Sequence, residues 1–336
     1  VLGYTVEGFK EKDNGVEVLL KDNPSLQADM VVLAIGVTPD TVLAKEAGLE
    51  LGIKESIVVN DRMETSVPDI YAAGDAVQVK HYVTGNDALI SLAGPANKQG
   101  RIIADNICGG DSRYLGSQGS SIIKVFDMTA ATTGINETNA KKSGLEVDTV
   151  ILSPMSHAGY YPGGKVMTMK VVFEKETYRL LGAQIIGYEG VDKRIDVLAT
   201  AIHAGLKATQ LKDLDLAYAP PYSSAKDSVN MAGFMIDNIA KGTLKQWHLE
   251  DMDKISRDKS VVLLDVRTVG EFNMGHMDGF KNIPVDELRE RINEIEKGKP
   301  VYLICQSELR SYIASRILEG NGYETYNFSG GFRFYD

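Results

Sequence analysis

Cys305-Gln306-Ser307-Glu308-Leu309-Arg310-Ser311 sets a thiol and a guanidinium five positions apart. The run lies between a strand-like stretch, Val301-Tyr302-Leu303-Ile304, and a helix-like one from Tyr312 to Glu319. A loop joining a strand end to a helix start turns backbone N–H groups, and the positive end of the helix dipole, toward whatever a thiolate there carries. Such a field lowers a thiol's pKa and would make Cys305 a nucleophile at neutral pH. Sulfur chemistry is one reading of this loop. The other leaves Cys305 as the end of a buried strand and Arg310 as a solvated helix residue.

The residues that must position the loop narrow the choice. Val261-Val262-Leu263-Leu264-Asp265-Val266-Arg267 reads as a buried strand ending in a charged pair, followed by Glu271-Phe272, Gly275-His276, Gly279 and Asn282-Ile283-Pro284. With Cys305-x4-Arg310-Ser311 and Gly330-Gly331, this series resembles the rhodanese domain, a small α/β sulfurtransferase fold, from about Lys245 to the C-terminus. The resemblance implies that Cys305 carries a persulfide and that Arg310 holds an anion. It makes Asp265, Arg267, Glu271 and His276 organisers of the fold. The loop has the short spacing of the sulfurtransferases, not the longer one of the related phosphatases. One residue departs from the pattern: Glu308 stands where such loops often have glycine. A charged carboxylate there would repel anionic donors such as thiosulfate and favour a small persulfide or a thiol.

The chain has 336 residues, enough for two or three domains. It is 43% hydrophobic and 24% charged, and no apolar run approaches the length of a membrane span. A net charge of −10 argues against a generalised nucleic-acid surface. The two cysteines, Cys108 and Cys305, argue against a disulfide framework and for a reducing, cytoplasmic setting. Five histidines show no zinc-ligand spacing, and no metal site is read. Cys108, near the end of a helix that Gly109 would terminate, reads as a small packing residue.

Toward the amino terminus, two alternating stretches flank Asn14-Gly15, a strong hairpin signal. Ala28 to Gly36 then reads as a strand covered on both faces, and Val37-Thr38-Pro39-Asp40 as a domain crossing. Val67 to Ala72 reads as a short buried strand leading into Gly74-Asp75, placed where an α/β fold meets a ligand. Gly-Asp after a strand is also an ordinary turn. Leu33 to Asp40 followed by Ile70 to Asp75 resembles the paired signature of the FAD-dependent pyridine nucleotide-disulfide oxidoreductases. That resemblance implies a flavin site using Gly74 and Asp75, with Leu92, Ala93 and Asn97 at the opening of a helix beside the flavin ring.

Between these ends, Ser120 to Leu152 reads as strands around a helix, Val166 to Ile186 as a β-meander, and Asp192 to Gly205 as an amphipathic helix. Two loops rigid in glycine and proline carry tyrosines, His157 to Gly164 and Ala217 to Asp227. Both resemble loops of the coenzyme A-disulfide reductase branch, where tyrosines reach the other subunit's active site. By that resemblance Tyr160 and Tyr218 stabilise or protonate a leaving thiolate, whereas Tyr161 and Tyr222 read simply as residues packed in a dimer interface. As plain residues, all four tyrosines are equally at home in an interface.

No Gly-x-Gly-x-x-Gly follows a strand. The family has two such elements and a redox cysteine upstream of the region matched here, so the chain is expected to be the carboxy-terminal part of a longer protein. The expected architecture is α/β and α+β multidomain. Residues 1–36 would be a remnant of the NAD(P)H-binding domain and 37–117 part of the FAD-binding domain. Residues 118–243 would form a dimerisation domain and 244–336 a rhodanese domain. The implied function is FAD- and NAD(P)H-dependent reduction of coenzyme A disulfide, coenzyme A persulfide or polysulfide by a homodimer, joined to sulfur transfer through Cys305. An NADH oxidase or peroxidase, or a non-catalytic rhodanese docking module, are the competing expectations.

Overall fold

A computed structural model describes residues 2–335. The Asn14-Gly15 signal does form a hairpin: β1 (Val6–Lys12) and β2 (Gly15–Leu20) pair antiparallel, and β3 (Asn23–Ala28) adds a third strand. The strand expected over Ala28 to Gly36 does not form. Residues 29–40 are irregular, and Ile35 is 91% exposed. An apolar strand covered on both faces needs neighbouring strands and helices, and the described residues bring none to this stretch.

A second small unit follows α1 (Val42–Glu46), with β4 (Ile57–Val58), β5 (Val77–Lys80) and β6 (Asp87–Ala88) in that order across a sheet. Here the expected strand before Gly74-Asp75 is reduced to an isolated bridge between Glu64 and Tyr71, and the regular strand comes after the pair. Helix α2 (Ala93–Ile107) covers this unit, with Ile102 and Ile103 packed on a core of Met63, Val77 and Val79.

The central unit is a five-stranded antiparallel sheet. Its strands β7 (Ser121–Val125), β8 (Met128–Gly134), β9 (Val147–Leu152), β10 (Met167–Glu174) and β11 (Leu180–Gly187) run in the order β7-β8-β11-β10-β9. A short helix α3 (Glu137–Lys142) joins β8 to β9. Helices α4 (Val191–His203) and α5 (Ser228–Ala240) bury one stripe each against the core, through Ile195, Leu198 and Ile202 on α4 and Val229, Ala232 and Ile236 on α5.

The last unit is a parallel sheet of β12 (Gln246–Trp247), β13 (Val262–Asp265), β14 (Lys281–Asn282), β15 (Val301–Ile304) and β16 (Thr325–Phe328), ordered β12-β16-β15-β13-β14. Helices α6 (Met252–Ile255), α7 (Val269–Met274), α8 (Leu309–Glu319) and α9 (Phe332–Tyr335) accompany it, and two separate apolar clusters flank the strands. Such double covering is what a parallel sheet requires. Edge strand β12 lies against the central sheet: the Gln246 amide donates to the Thr149 carbonyl at 2.8 Å, and the Ile151 N–H donates to Ser329 Oγ at 3.2 Å. Trp247 anchors one cluster, 4.3 Å from Phe328 between ring centroids, with its indole N–H donating to the Leu303 carbonyl. Among the described residues no helix is long and apolar enough to cross a membrane.

Phe328→Ala should destabilise this last unit by about 3–5 kcal/mol through lost burial and a residual cavity. Trp247 is the chain's one tryptophan. Its fluorescence during denaturant unfolding therefore reads the loss directly.

Candidate functional site

Cys305 follows the last residue of β15, at the carboxyl end of a central parallel strand, where open α/β sheets bind their ligands. Its side chain is buried, and Ser311 Oγ lies 3.2 Å from Sγ and 3.0 Å from the Glu308 carbonyl. The loop's carbonyls are used elsewhere: Cys305 O accepts from the Phe332 N–H at 2.8 Å and Gln306 O from Arg333 at 3.2 Å. Among the described residues, the N–H groups of Gln306, Ser307 and Glu308 donate to no backbone carbonyl. The loop therefore has donors to spare next to a sulfur atom. Helix α8 begins at Leu309, a turn earlier than the sequence pattern suggests, so Arg310 and Ser311 belong to its first turn.

Behind the loop, Arg267 and Asp265 form a buried ion pair at 2.7 Å. The Arg267 guanidinium also donates to Gly275 O at 2.7 Å and to Gln306 Oε1 at 3.3 Å, and lies 3.8 Å over the Phe332 ring. The strand-ending charged pair thus braces the cysteine loop from below. His276, next to Gly275, stacks on Phe272 and bonds the Phe272 carbonyl.

Arg310 has a standing partner. Both its Nη atoms donate to the Glu271 carboxylate at 2.7 Å. That pairing holds the Glu271 pKa down at about 2, against partial burial, with help from Thr268. An anion at Cys305 would share the guanidinium with Glu271. Neither Glu271 nor Ser311 was assigned to the site from sequence, although Ser311 belongs to the same short run as the cysteine. Glu271 lies 39 residues from Arg310, and no local spacing links them.

Burial bears on the repulsion expected from Glu308. Its backbone adopts φ +77°, and its side chain turns inward, 4% exposed, accepting the Gly330 N–H. Burial pushes its pKa well above the ordinary 4.5, outweighing the Gly330 and Ser329 contacts. Burial thus favours the uncharged form of Glu308 and weakens the repulsion expected of an anionic donor.

The tyrosine loops meet. Tyr160 and Tyr218 hydroxyls lie 2.7 Å apart, joining positions 58 residues apart in sequence. Both side chains face solvent, Tyr160 at 76% exposure. The hydrogen bond shared with Tyr160, then partial desolvation, raise the Tyr218 pKa above 10.0. Tyr161 and Tyr222 are also exposed, and the Tyr161 ring stands edge-on to His157.

Gly74, at φ +88°, donates its N–H to Gln99 Oε1 at 2.7 Å, and Gln99 is buried in α2. This bond fixes Gly74-Asp75 beside the start of α2. Ser91 Oγ donates to the Asp75 carbonyl at 3.3 Å, and Leu92, the N-cap, makes no side-chain cap bond. Asp75, Ala93 and Asn97 are exposed. A free carboxylate beside uncapped helical N–H groups fits the polyhydroxyl and carbonyl groups of a flavin along one side. Cys108 is exposed, not packed: it follows the last residue of α2, outside the core that α2 helps to form.

Comparison with known proteins gives three consecutive family matches: pyridine nucleotide-disulphide oxidoreductase over residues 1–100, the dimerisation domain of that family over 120–229, and rhodanese-like domain over 248–335. A Pyrococcus furiosus protein described as NAD(P)H sulfur oxidoreductase (CoA-dependent) is 39% identical over 212 residues, covering 63% of this chain and 48% of the relative. The crystal structure of reduced Bacillus anthracis CoADR-RHD superposes with a TM-score of 0.93 at 46% identity, over 99% of this chain and 59% of that one. A NAD-dependent persulfide reductase from A. fulgidus gives a TM-score of 0.90 at 40% identity, covering 99% and 61%. The chain spans about half the length of the curated relatives it matches.

Two outcomes follow from the charges. Glu308→Gln should change thiosulfate:cyanide turnover by less than about twofold, because burial favours the uncharged acid over the carboxylate; a rise of about tenfold would mean that a carboxylate was repelling the donor. The Glu271–Arg310 pair, whose acid has a depressed pKa, contributes its full stability above pH 4.5 and loses it as pH falls through about 2. The stability gap between wild type and Glu271→Gln should accordingly be flat from neutral pH to about 4.5 and shrink below it, measured by denaturant unfolding across pH.

Proposed function

As a chain that belongs to the pyridine nucleotide-disulphide oxidoreductases and ends in a rhodanese-like domain, this protein is, we propose, part of an FAD- and NAD(P)H-dependent reductase of coenzyme A disulfide, coenzyme A persulfide or polysulfide, coupled to sulfur transfer at Cys305. The observation that carries the proposal is the Cys305 loop, with three N–H groups free of backbone partners beside a buried sulfur.

In sulfur transfer, the Cys305 thiolate attacks the sulfane sulfur of a persulfide donor. A new S–S bond forms at Sγ, the donor's S–S bond breaks, and the donor leaves as a thiolate with no net oxidation. The N–H groups of Gln306, Ser307 and Glu308 surround the outer sulfur's negative charge, and Ser311 Oγ steadies Sγ. Arg310 balances charge at the rim through its shared pair with Glu271.

In the reductase half, FAD supplies two-electron transfer from NAD(P)H when bound, held along one side by Gly74, Asp75, Leu92, Ala93 and Asn97. Tyr160 and Tyr218 donate a hydrogen bond to the sulfur of a departing coenzyme A thiolate, a role that suits exposed phenols bonded to each other. We assign residues 1–36 to the NAD(P)H-binding domain, 37–117 to the FAD-binding domain, 118–243 to dimerisation and 244–336 to the rhodanese domain. A homodimer is supported by Ile123 and Ile186, in register through Ala130 on one side of the sheet and both exposed in the single chain. Two free thiols support a cytoplasmic setting.

The test is sulfur loading. After incubation with a small persulfide donor, intact-mass and peptide analysis should find one added sulfur on Cys305, absent from Cys305→Ser. Loading that survives in Cys305→Ser, or never occurs in wild type, would refute the assignment.

A further inference from the structure

We propose that Arg194, buried in α4, is the positioning residue that joins the two tyrosine loops and thereby sets the Tyr160–Tyr218 pair. This deepens the reductase reading above and rests on it for the pair's chemical role.

Arg194 is 1% exposed. Its Nη2 lies 2.9 Å from the Ser156 carbonyl, at the base of the first loop. The same nitrogen lies 3.2 Å from Ser223 Oγ and 2.9 Å from Asp227 Oδ2, both in the second loop. Nη1 donates to Gly190 O at 3.1 Å. One guanidinium therefore ties both loops to the same helix. Lys193, one position earlier, donates to Ala217 O at 3.2 Å, so the start of the second loop also hangs from α4. The loops meet directly at one further point, where the Ala158 N–H donates to Ser223 O at 3.0 Å.

Asp227 does two jobs. It faces Arg194, and it accepts the Val229 N–H at 3.0 Å as the N-cap of α5. Burial would raise its pKa, but the Ser223 hydroxyl, the Val229 N–H and Arg194 outweigh that and hold it below its ordinary value. Gly190 clears the path: it has φ +73°, and a Cβ there would stand 2.2 Å from Arg194 Nη1. None of these contacts touches Tyr160 or Tyr218. The clasp acts at the loop bases, while the phenols meet at the tips. A lysine at 194 keeps the charge, but its side chain ends one bond short of where Nη2 meets both loops and has no second arm for Gly190 O.

Arg194→Lys in the full chain tests this. Ring-carbon NMR of labelled tyrosines, assigned with Tyr160→Phe and Tyr218→Phe, follows each phenol's titration. The bond with Tyr160 raises the Tyr218 pKa, so the titration should report whether the pair is formed. Arg194→Lys should move Tyr218 to the value it has in Tyr160→Phe, and adding Tyr160→Phe to Arg194→Lys should move it no further. Sulfur loading at Cys305 serves as the in-protein control for folding. A Tyr218 titration unchanged from wild type overturns the proposal. Should Arg194→Lys fail to fold, as breaking a buried pair can cause, Ser223→Ala removes one bridging group without changing charge and is read in the same way.

A second measurement separates the two claims. With coenzyme A disulfide, in protein that also carries the reductase half, Arg194→Lys should lower kcat by about tenfold with little change in KM. A shifted titration with unchanged kcat leaves the clasp standing and removes the tyrosines from the chemistry.

Discussion

A buried guanidinium needs acceptors for its donors, and in this molecule that need fastens loops twice, although the Nε of Arg194 is left without one. Arg267 draws Asp265, Gly275 and the Gln306 side chain around itself, which fixes the segment carrying Cys305. Arg194 draws in Ser156, Ser223 and Asp227, which fixes the segments carrying the tyrosines. In each case the charge is paired with an aspartate, because an uncompensated buried charge costs several kcal/mol. The pairing matters less for net stability than for geometry: a planar fork has few ways to satisfy its bonds, so each loop has few conformations available.

The cysteine loop also depends on a neighbouring unit. Ser329 receives the Ile151 N–H from the edge of the central sheet, and the adjoining Gly330 donates to the buried Glu308 carboxyl. Glu308 itself sits at φ +77°, a conformation costly for a residue with a side chain. The inward carboxyl and its Gly330 contact compensate in part. A glycine at this position would relieve the backbone and forfeit the tie to Gly330. Docking of the parallel-sheet unit on β9 and the shape of the sulfur-carrying loop are thus parts of one hydrogen-bonded chain.

At the other end the physics runs the opposite way. Val32, Leu33 and Ile35 are exposed, although their pattern is that of a strand buried on both faces. The family matches, and the half-length coverage of the relatives, give that pattern its context. A hydrophobic run takes up strand structure only where neighbours supply hydrogen bonds and apolar cover, whatever its intrinsic preference.

Local pattern was enough for the hairpin at Asn14-Gly15, the meander of β10 and β11, helix α4, and the strand-loop-helix around Cys305, since each rests on periodicity or on a turn residue close in sequence. Tyr160, Tyr218, Gly74 and Asp75 were singled out by resemblance to a family, not by local pattern. Local pattern gave the wrong strand beside Gly74, buried the exposed Cys108, and left the burial of Glu308 unseen, because pairing and burial are set by residues distant along the chain. The Tyr160–Tyr218 contact, the Glu271 hold on Arg310 and the Arg194 clasp join positions 58, 39 and 33 residues apart. The sequence by itself determined which side chains could do sulfur chemistry. Tertiary structure alone decided which of them touch and which are charged, since both depend on what folding places within a few ångströms and shields from water.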